Sequence, residues 1–265
     1  MSGPMRRRDL KMAKVYFIGA GPGDPDLITI KGRNILDGAG VVIYAGSLVN
    51  KALLDGNSAE IFDSSSMTLD DTLKIIEKAI SENRNVARLH TGDPALYGAI
   101  SEQIEGLRKL GIEFEIIPGV SSAFAGAAVL GQELTIPEIS QTVIFSRMAG
   151  RTPVPDAERI GELAKHRATM VLFLSVSMID TLRDELLEGY PEDTPVVVIQ
   201  KATWPEQKIV RGTLADISAK VKEAGIGKTA LIYVGEALRA SEESLGRTSK
   251  LYDKGFAHEY RRASE

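Results

Sequence analysis

Short runs of β-branched and other apolar residues alternate along this chain with longer stretches of helical period, the pattern of βα units built around a mainly parallel sheet. In the first half the apolar runs predict strands at 14–18, 41–44, 85–89 and 114–117. Amphipathic stretches predict helices at 29–36, 69–82, 98–109 and 121–130. A second series places strands at 142–146, 169–174, 195–200 and 230–234, separated by helices at 156–165, 179–187 and 214–224. Between the two series the stretch GQELTIPE, 131–138, breaks the period with Gly and Pro, as a junction does. The pattern therefore predicts two α/β domains, 14–134 and 135–240. A tail of 1–13 precedes them, and a polar, loosely held tail of 241–265 follows.

A length of 265 residues suits two domains, each within the usual range of about 100 to 200 residues. The apolar share of 43% is enough to fill two cores, so the chain does not read as disordered. Cysteine is absent, which rules out disulfides and thiolate metal sites and is compatible with a reducing cytoplasm. His90, His166 and His258 match no metal-ligand spacing, so no metal site is expected and a metal-dependent hydrolase is disfavoured. The net charge of −4 argues against nucleic acid as a partner. No apolar stretch has the roughly 18 residues needed to span a membrane. The opening MSGPMRRRDLKM carries Arg6, Arg7 and Arg8 but lacks the apolar core of a signal peptide, and reads as a solvated tail. A cytoplasmic location is expected.

The loop VYFIGAGPGDPD follows the first predicted strand, a context in which glycines let the backbone approach a ligand. It is not a dinucleotide fingerprint. The third glycine of that pattern falls at Asp24, and Asp24 and Asp26 crowd the place of a pyrophosphate. Nor is it a phosphate-binding P-loop, because no lysine follows at the required spacing. Gly227, Lys228 and Thr229 imitate the ending of one, yet Lys222 stands where its first glycine belongs, so GKTA reads as a turn entering a strand. PGVSSAFAG lacks the nucleophile elbow of a serine hydrolase. His90 stands at a strand end, where either a partly buried structural histidine or a functional one fits.

Three more loops lie where strands end. HTGDPALYGAI, 90–100, puts Gly92, Asp93 and Pro94 after a strand. IPGVSSAFAGAA, 117–128, combines small residues with the hydroxyls of Ser121 and Ser122. KATWPEQKIVRGTL, 201–214, comes from the second half. Loops from both halves predict a cleft between the domains.

Together and in this order, the four loops make the chain similar to the tetrapyrrole methylase family over about residues 14 to 239. Within that family YAGSLVN (44–50), HTGDPALYGAI, ELTIPE (133–138), GRTPVP (150–155), LAKH (163–166) and KATWPEQKIVR resemble the members that methylate carbon 11 of precorrin-4 or cobalt-precorrin-4. The resemblance implies two α/β domains of the class III methyltransferase type with the active-site cleft between them. It implies S-adenosylmethionine as methyl donor, S-adenosylhomocysteine as product and a homodimer. The donor would contact Pro22, Gly92, Asp93, Pro94, Tyr97, Ser121, Ser122, Leu174, Ala202, Thr203 and Ala230. An anionic tetrapyrrole would meet Gly21, Gly23, Asp24, Arg88, Arg147, Arg151 and Lys201.

A sulfonium is already a strong electrophile, so alignment in a dry cleft is the main requirement, and no acid, base or metal is compulsory. Asp93 is the one candidate catalytic group, as a base or as a hydrogen-bond acceptor for the donor. Capping of the following helix is an equal reading. Two other functions remain open. One is methylation of another acceptor by a different family member, such as uroporphyrinogen III, the C(17) site of precorrin-3 or diphthine. The other is tetrapyrrole or nucleotide binding without turnover.

Overall fold

The computed structural model describes residues 13–241, together with 256, 257, 259 and 262. Arg6, Arg7 and Arg8 of the amino-terminal tail, His258 and most of the carboxyl-terminal tail lie outside the described residues.

The chain divides into two units, Met1–Ser122 and Ala123–Glu265. The first contains β1 (Val15–Gly19), α1 (Ile30–Asp37), β2 (Val41–Tyr44), β3 (Glu60–Asp63), α2 (Leu69–Ser81), β4 (Val86–His90), α3 (Ser101–Lys109) and β5 (Phe114–Ile117). Its strands lie in the order β3-β2-β4-β1-β5 and every neighbouring pair is parallel. Helices cover both faces, so the inner strands β1 and β2 are apolar on both sides and read as unbroken apolar runs, while inner β4 buries Arg88 and His90. On one face Val15, Phe17, Ile43 and Val86 pack with Ile76 of α2 and Leu107 of α3. On the other, Ile18, Val42, Leu89 and Ile117 pack with Leu36 of α1. Thr29 starts α1 by accepting the Gly32 N–H, and Thr68 with Asp71 forms a reciprocal capping box on α2.

Two features of this unit differ from expectation. β3 is an additional edge strand, its first two residues exposed, and so lacks a buried stripe to reveal it. α3 begins at Ser101 rather than at Gly98, because Tyr97 (φ 55°) and Ala99 (φ 48°) hold left-handed backbone that no helix tolerates.

The second unit holds α4 (Ser122–Val129, in this unit from Ala123), β6 (Val143–Arg147), α5 (Ile160–Ala164), β7 (Thr169–Phe173), α6 (Ile179–Leu186), β8 (Pro195–Gln200), β9 (Lys208–Thr213), α7 (Ile217–Glu223) and β10 (Ala230–Val234). The strand order is β6-β7-β10-β8-β9. The expectation of a mainly parallel sheet fails here. Among the neighbouring strand pairs only β6–β7 is parallel, while β10 is antiparallel to both β7 and β8, and β9 is antiparallel to β8. The reason is connectivity: β8 turns directly into β9 through 201–207 with no crossover helix, and a direct turn of that kind forces reversal. The expected helix at 156–165 is split into a 3-10 turn (Asp156–Glu158) and α5, with extended Arg159 (φ −57°, ψ 143°) between them.

The division between units falls at Ser122 and Ala123, earlier in the chain than GQELTIPE. α4 is built into the second core, where Ala123, Ala127 and Leu130 pack with Val171, Ile199 and Tyr233. The Tyr233 hydroxyl donates to the Ala123 carbonyl at 2.8 Å, and a side chain on Gly126 would collide with that hydroxyl. Among the described residues no helix is long and apolar enough to cross a membrane.

Candidate functional site

In the first unit, three strand ends meet through glycine. Ala20 N–H donates to the His90 carbonyl at 2.8 Å, and Gly21 and Gly92 bond each other as an antiparallel bridge. A Cβ on Gly119 would lie 2.6 Å from the Gly19 Cα and closer still to the Gly92 carbonyl oxygen. Only glycine permits that approach. Gly21 itself is left-handed at φ 77°, and Pro22 beside it is buried. The Gly23 carbonyl accepts the Asn50 side-chain amide at 2.8 Å, which ties the YAGSLVN segment to this loop. Asp24 Oδ1 accepts the Asp26 N–H at 2.9 Å and caps the 3-10 turn Pro25–Leu27.

Asp93 joins two of these loops. Its Oδ1 accepts the Ala95 N–H and its Oδ2 accepts the Gly119 N–H, each at 2.8 Å. It does not cap α3, whose N-cap is Ile100 with no side-chain bond. Pro94 is buried, and a side chain on Gly98 would strike Pro94. Tyr97 is left-handed and 42% exposed. Ser121 is buried beside Ser122, the first residue of α4.

In the second unit the strand register gathers the remaining candidates at one end of the sheet. Arg147 pairs with Phe173, Leu172 with Ile232, and Gln200 with Ala230. Leu174, Lys201, Ala202, Thr203 and Ala230 therefore share an edge with Arg147. Leu174 is left-handed (φ 55°) and 69% exposed. Lys201 (φ 50°) and Thr203 (φ 69°) are left-handed as well, held by Lys201 N–H to the Thr229 carbonyl at 2.9 Å and Thr203 N–H to Gln207 Oε1 at 2.8 Å. Non-glycine residues in this conformation cost of order 1–3 kcal/mol each and persist where neighbours over-determine them, commonly at working sites. Four of the residues read from sequence, Tyr97, Leu174, Lys201 and Thr203, are of this kind.

The basic candidates are not equivalent. Arg147 folds back on the carbonyls of Met148, Thr152 and Pro153 and fixes the GRTPVP loop. Arg151 is exposed on that same loop. Lys201 Nζ lies 3.5 Å from Glu206 Oε2 and 5.7 Å from the centre of the Trp204 ring. Arg88 lies within β4, two residues short of the strand end, and is buried; desolvation pulls its pKa down to about 10. His90 is buried beside Phe17 with its Nε2 unbonded. Burial first, then Arg88, push its pKa down to about 3, against a smaller opposing effect of Gly98, so the ring is neutral at pH 7.

Gln103, which holds Arg88, was missed in the sequence, as was the edge-to-face series Phe124–Phe145–Phe173 that leads to Leu174. Helical spacing in α3 places Gln103 on its inner face and offers a signal for the first; the aromatic series spans three elements and leaves none. Among the described residues no cluster of three or more His, Asp and Glu is placed to hold a metal ion. The rigid glycine junctions, small residues and strained, half-open loop tips suit the holding and alignment of a ligand.

Residues 14–218 match the tetrapyrrole (corrin/porphyrin) methylases. The chain is 56% identical over 253 residues to the cobalt-precorrin-4 C(11)-methyltransferase of Methanocaldococcus jannaschii, covering 94% of this chain and 96% of that protein. It resembles the X-ray structure of a cobalamin biosynthetic enzyme, cobalt precorrin-4 methyltransferase, with a TM-score of 0.83 and 49% identity over 85% of this chain and 95% of the other. It also resembles the uroporphyrin-III C-methyl transferase of Thermus thermophilus complexed with S-adenyl homocysteine. There the TM-score is 0.71, with 26% identity over 86% of this chain and 94% of that one.

Proposed function

This chain belongs to the tetrapyrrole (corrin/porphyrin) methylase family, and we propose that within it the protein transfers a methyl group from S-adenosylmethionine to carbon 11 of precorrin-4 or cobalt-precorrin-4. The products are the corresponding precorrin-5 and S-adenosylhomocysteine. The observation that carries this reading is 56% identity to a cobalt-precorrin-4 C(11)-methyltransferase over nearly the whole of both chains.

S-adenosylmethionine supplies a methyl carbon already activated on a sulfonium, so what this chain adds is position and exclusion of water. Pro22, Gly92, Pro94, Tyr97, Ser121 and Ser122 of the first unit, with Leu174, Ala202, Thr203 and Ala230 of the second, are proposed to contact the donor. The small residues let the backbone come close, and exposed Leu174 and Tyr97 offer apolar surface. Asp93 is proposed as a positioning residue. Both its oxygens already take backbone N–H groups, so its effect runs through the loop it fastens. Gly21, Gly23, Asp24, Arg88, Arg147, Arg151 and Lys201 are proposed for the macrocycle. The arginines and the lysine answer its carboxylates. A cytoplasmic homodimer is proposed from the family resemblance, and sedimentation of the purified protein tests the dimer.

Incubation with methyl-labelled S-adenosylmethionine and precorrin-4, metal-free in one arm and cobalt-loaded in the other, tests the reaction. Labelled methyl at carbon 11 with stoichiometric S-adenosylhomocysteine is expected in at least one arm. Methylation of uroporphyrinogen III with neither precorrin accepted, or binding without any S-adenosylhomocysteine, overturns the assignment.

A further inference from the structure

A charged side chain in the middle of a parallel strand is unusual, because both faces of such a strand are covered. Arg88 is in that position on β4, with only 8% of its surface exposed. It points to the face covered by α2 and α3, as its bonds show. Nε donates to Gln103 Oε1 of α3 at 3.1 Å, and Nη1 donates to the Ile43 carbonyl at 3.4 Å. Gln103 is oriented in turn by donating Nε2 to the Ala99 carbonyl at 3.1 Å. Both acceptors of the guanidinium are neutral. No described carboxylate pairs with Arg88, and burial alone accounts for its lowered pKa.

Arg88 lines a cavity of about 310 Å³ whose wall also includes Ser64, the segment from Met67 to Leu69, Thr72, Ala99, Glu102 and Gln103. The hydroxyls there are already spent as donors, Ser64 to the Tyr44 carbonyl at 2.9 Å, Thr68 to Asp71 Oδ2 at 2.7 Å and Thr72 to the Thr68 carbonyl at 3.1 Å. What the cavity offers is therefore the guanidinium and the first turn of α3, whose N-terminus no side chain caps. A buried cation without a counter-charge is costly to keep. Arg88 is two residues from the end of β4, and Ala99 closes the loop that carries Gly92, Asp93 and Tyr97.

We propose that Arg88, with Gln103 and the first turn of α3, anchors one side-chain carboxylate of the acceptor macrocycle and so fixes which ring edge is presented for methylation. The planar fork of the guanidinium matches a carboxylate in two-point contact. Glu102, in the first turn of α3 and on the cavity wall, is the titratable acid facing this site, and it opposes entry of a second negative group. The proposal rests on the tetrapyrrole reading above. It requires more than that reading does, since a tetrapyrrole methylase without this anchor would turn over equally well in an Arg88 variant.

The test compares the full-length protein with R88M, R88K and E102Q. R88M removes a buried unpaired charge but leaves Gln103 Oε1 without its donor, so its melting temperature is expected to stay close to the parent's. Its KM for the acceptor is expected to rise at least tenfold, while its KM for S-adenosylmethionine stays within twofold. R88K, which keeps the charge and loses the fork, is expected to raise the acceptor KM severalfold, and E102Q to lower it. A second measurement does not depend on the identity of the acceptor. The parent is expected to bind the free acid of uroporphyrin III more tightly than its octamethyl ester, and R88M to lose most of that preference. An unchanged acceptor KM in R88M or R88K, or an undiminished preference for the free acid, overturns the anchor while leaving the methyltransferase reading intact. If acetate raises the melting temperature of the parent but not of R88M, and the acceptor KM does not move, the cavity takes a small free carboxylate and the proposal fails.

Discussion

Asp93 Oδ2 accepts the backbone N–H of Gly119 at 2.8 Å, a bond between loops that are 26 residues apart in sequence and leave from the ends of β4 and β5. With Oδ1 held by Ala95, one carboxylate fixes both the tight turn of the GDP segment and its distance from the next strand end. The geometry is that of a fastener.

D93N separates that role from general-base catalysis. An asparagine keeps one acceptor oxygen and sets an amide N–H against a second backbone N–H, so a bond worth about 1–3 kcal/mol in a half-buried loop is lost. The KM for S-adenosylmethionine is expected to rise about tenfold or more, the kinetic equivalent of about 1.4 kcal/mol. The pH profile of kcat is expected to keep its shape. Loss of the acidic limb of that profile would assign Asp93 a proton-transfer role instead.

G119A tests the junction itself. The added methyl would meet Gly19 and Gly92 backbone, neither of which can rotate away as a side chain does. Overpacking of this kind costs about 1–3 kcal/mol and more when backbone must move. Urea denaturation is expected to show a loss at or above the upper end of that range. G56A, where a Cβ would meet nothing within 4 Å but φ is 73°, is expected to show only the smaller cost of the left-handed backbone, about 1 kcal/mol.

The parts of the molecule legible in sequence share a physical cause. VYFIG and VVIY declare themselves because parallel strands covered on both faces are apolar throughout, and the glycine loops because close backbone contact excludes every other residue. KIVRGT of β9 was readable only as a loop. Its residues are exposed or half-buried, as befits an edge, and its direction follows from the absence of a crossover helix, which no local pattern records. The left-handed Tyr97 and Ala99 are imposed by contacts of the folded loop and delay α3 against its own helical period. The bond from Arg88 to Gln103 joins elements whose adjacency the fold alone decides.

Neutral His90 gives stability a pH dependence of known sign. The unfolded chain takes up a proton near pH 6.5, and the folded chain refuses it until about pH 3. Stability is therefore unaffected above 6.5 and falls as pH drops through that window, by at most about 1.4 kcal/mol per pH unit. H90Q is expected to remove this component: denaturation midpoints of parent and variant should converge as pH is lowered from 7 to 4. A constant gap would mean that the histidine is protonated in the folded state.

Glu115 acts in the same sense, lower in the pH range. Lys31 first and Lys14 second hold its carboxylate at about 2 instead of 4.5. The folded chain thus keeps the charge that the unfolded chain neutralises, and the stabilisation is complete above pH 4.5 and disappears as pH falls through 2. The side chain is one-third exposed, so solvent and salt screen the pair and its worth is below about 1 kcal/mol. E115Q is expected to differ from the parent at pH 6, to match it at pH 2, and to lose its difference at pH 6 in 1 M salt.

Tyr97, Leu174, Lys201 and Thr203 hold backbone that glycine or asparagine would occupy at lower cost. Selection for heat resistance alone would therefore drift toward glycine at these four positions, and selection for turnover would hold the side chains in place. Sequencing the two populations side by side would trace the residues that turnover requires as the set of positions where they part, without a ligand ever being added.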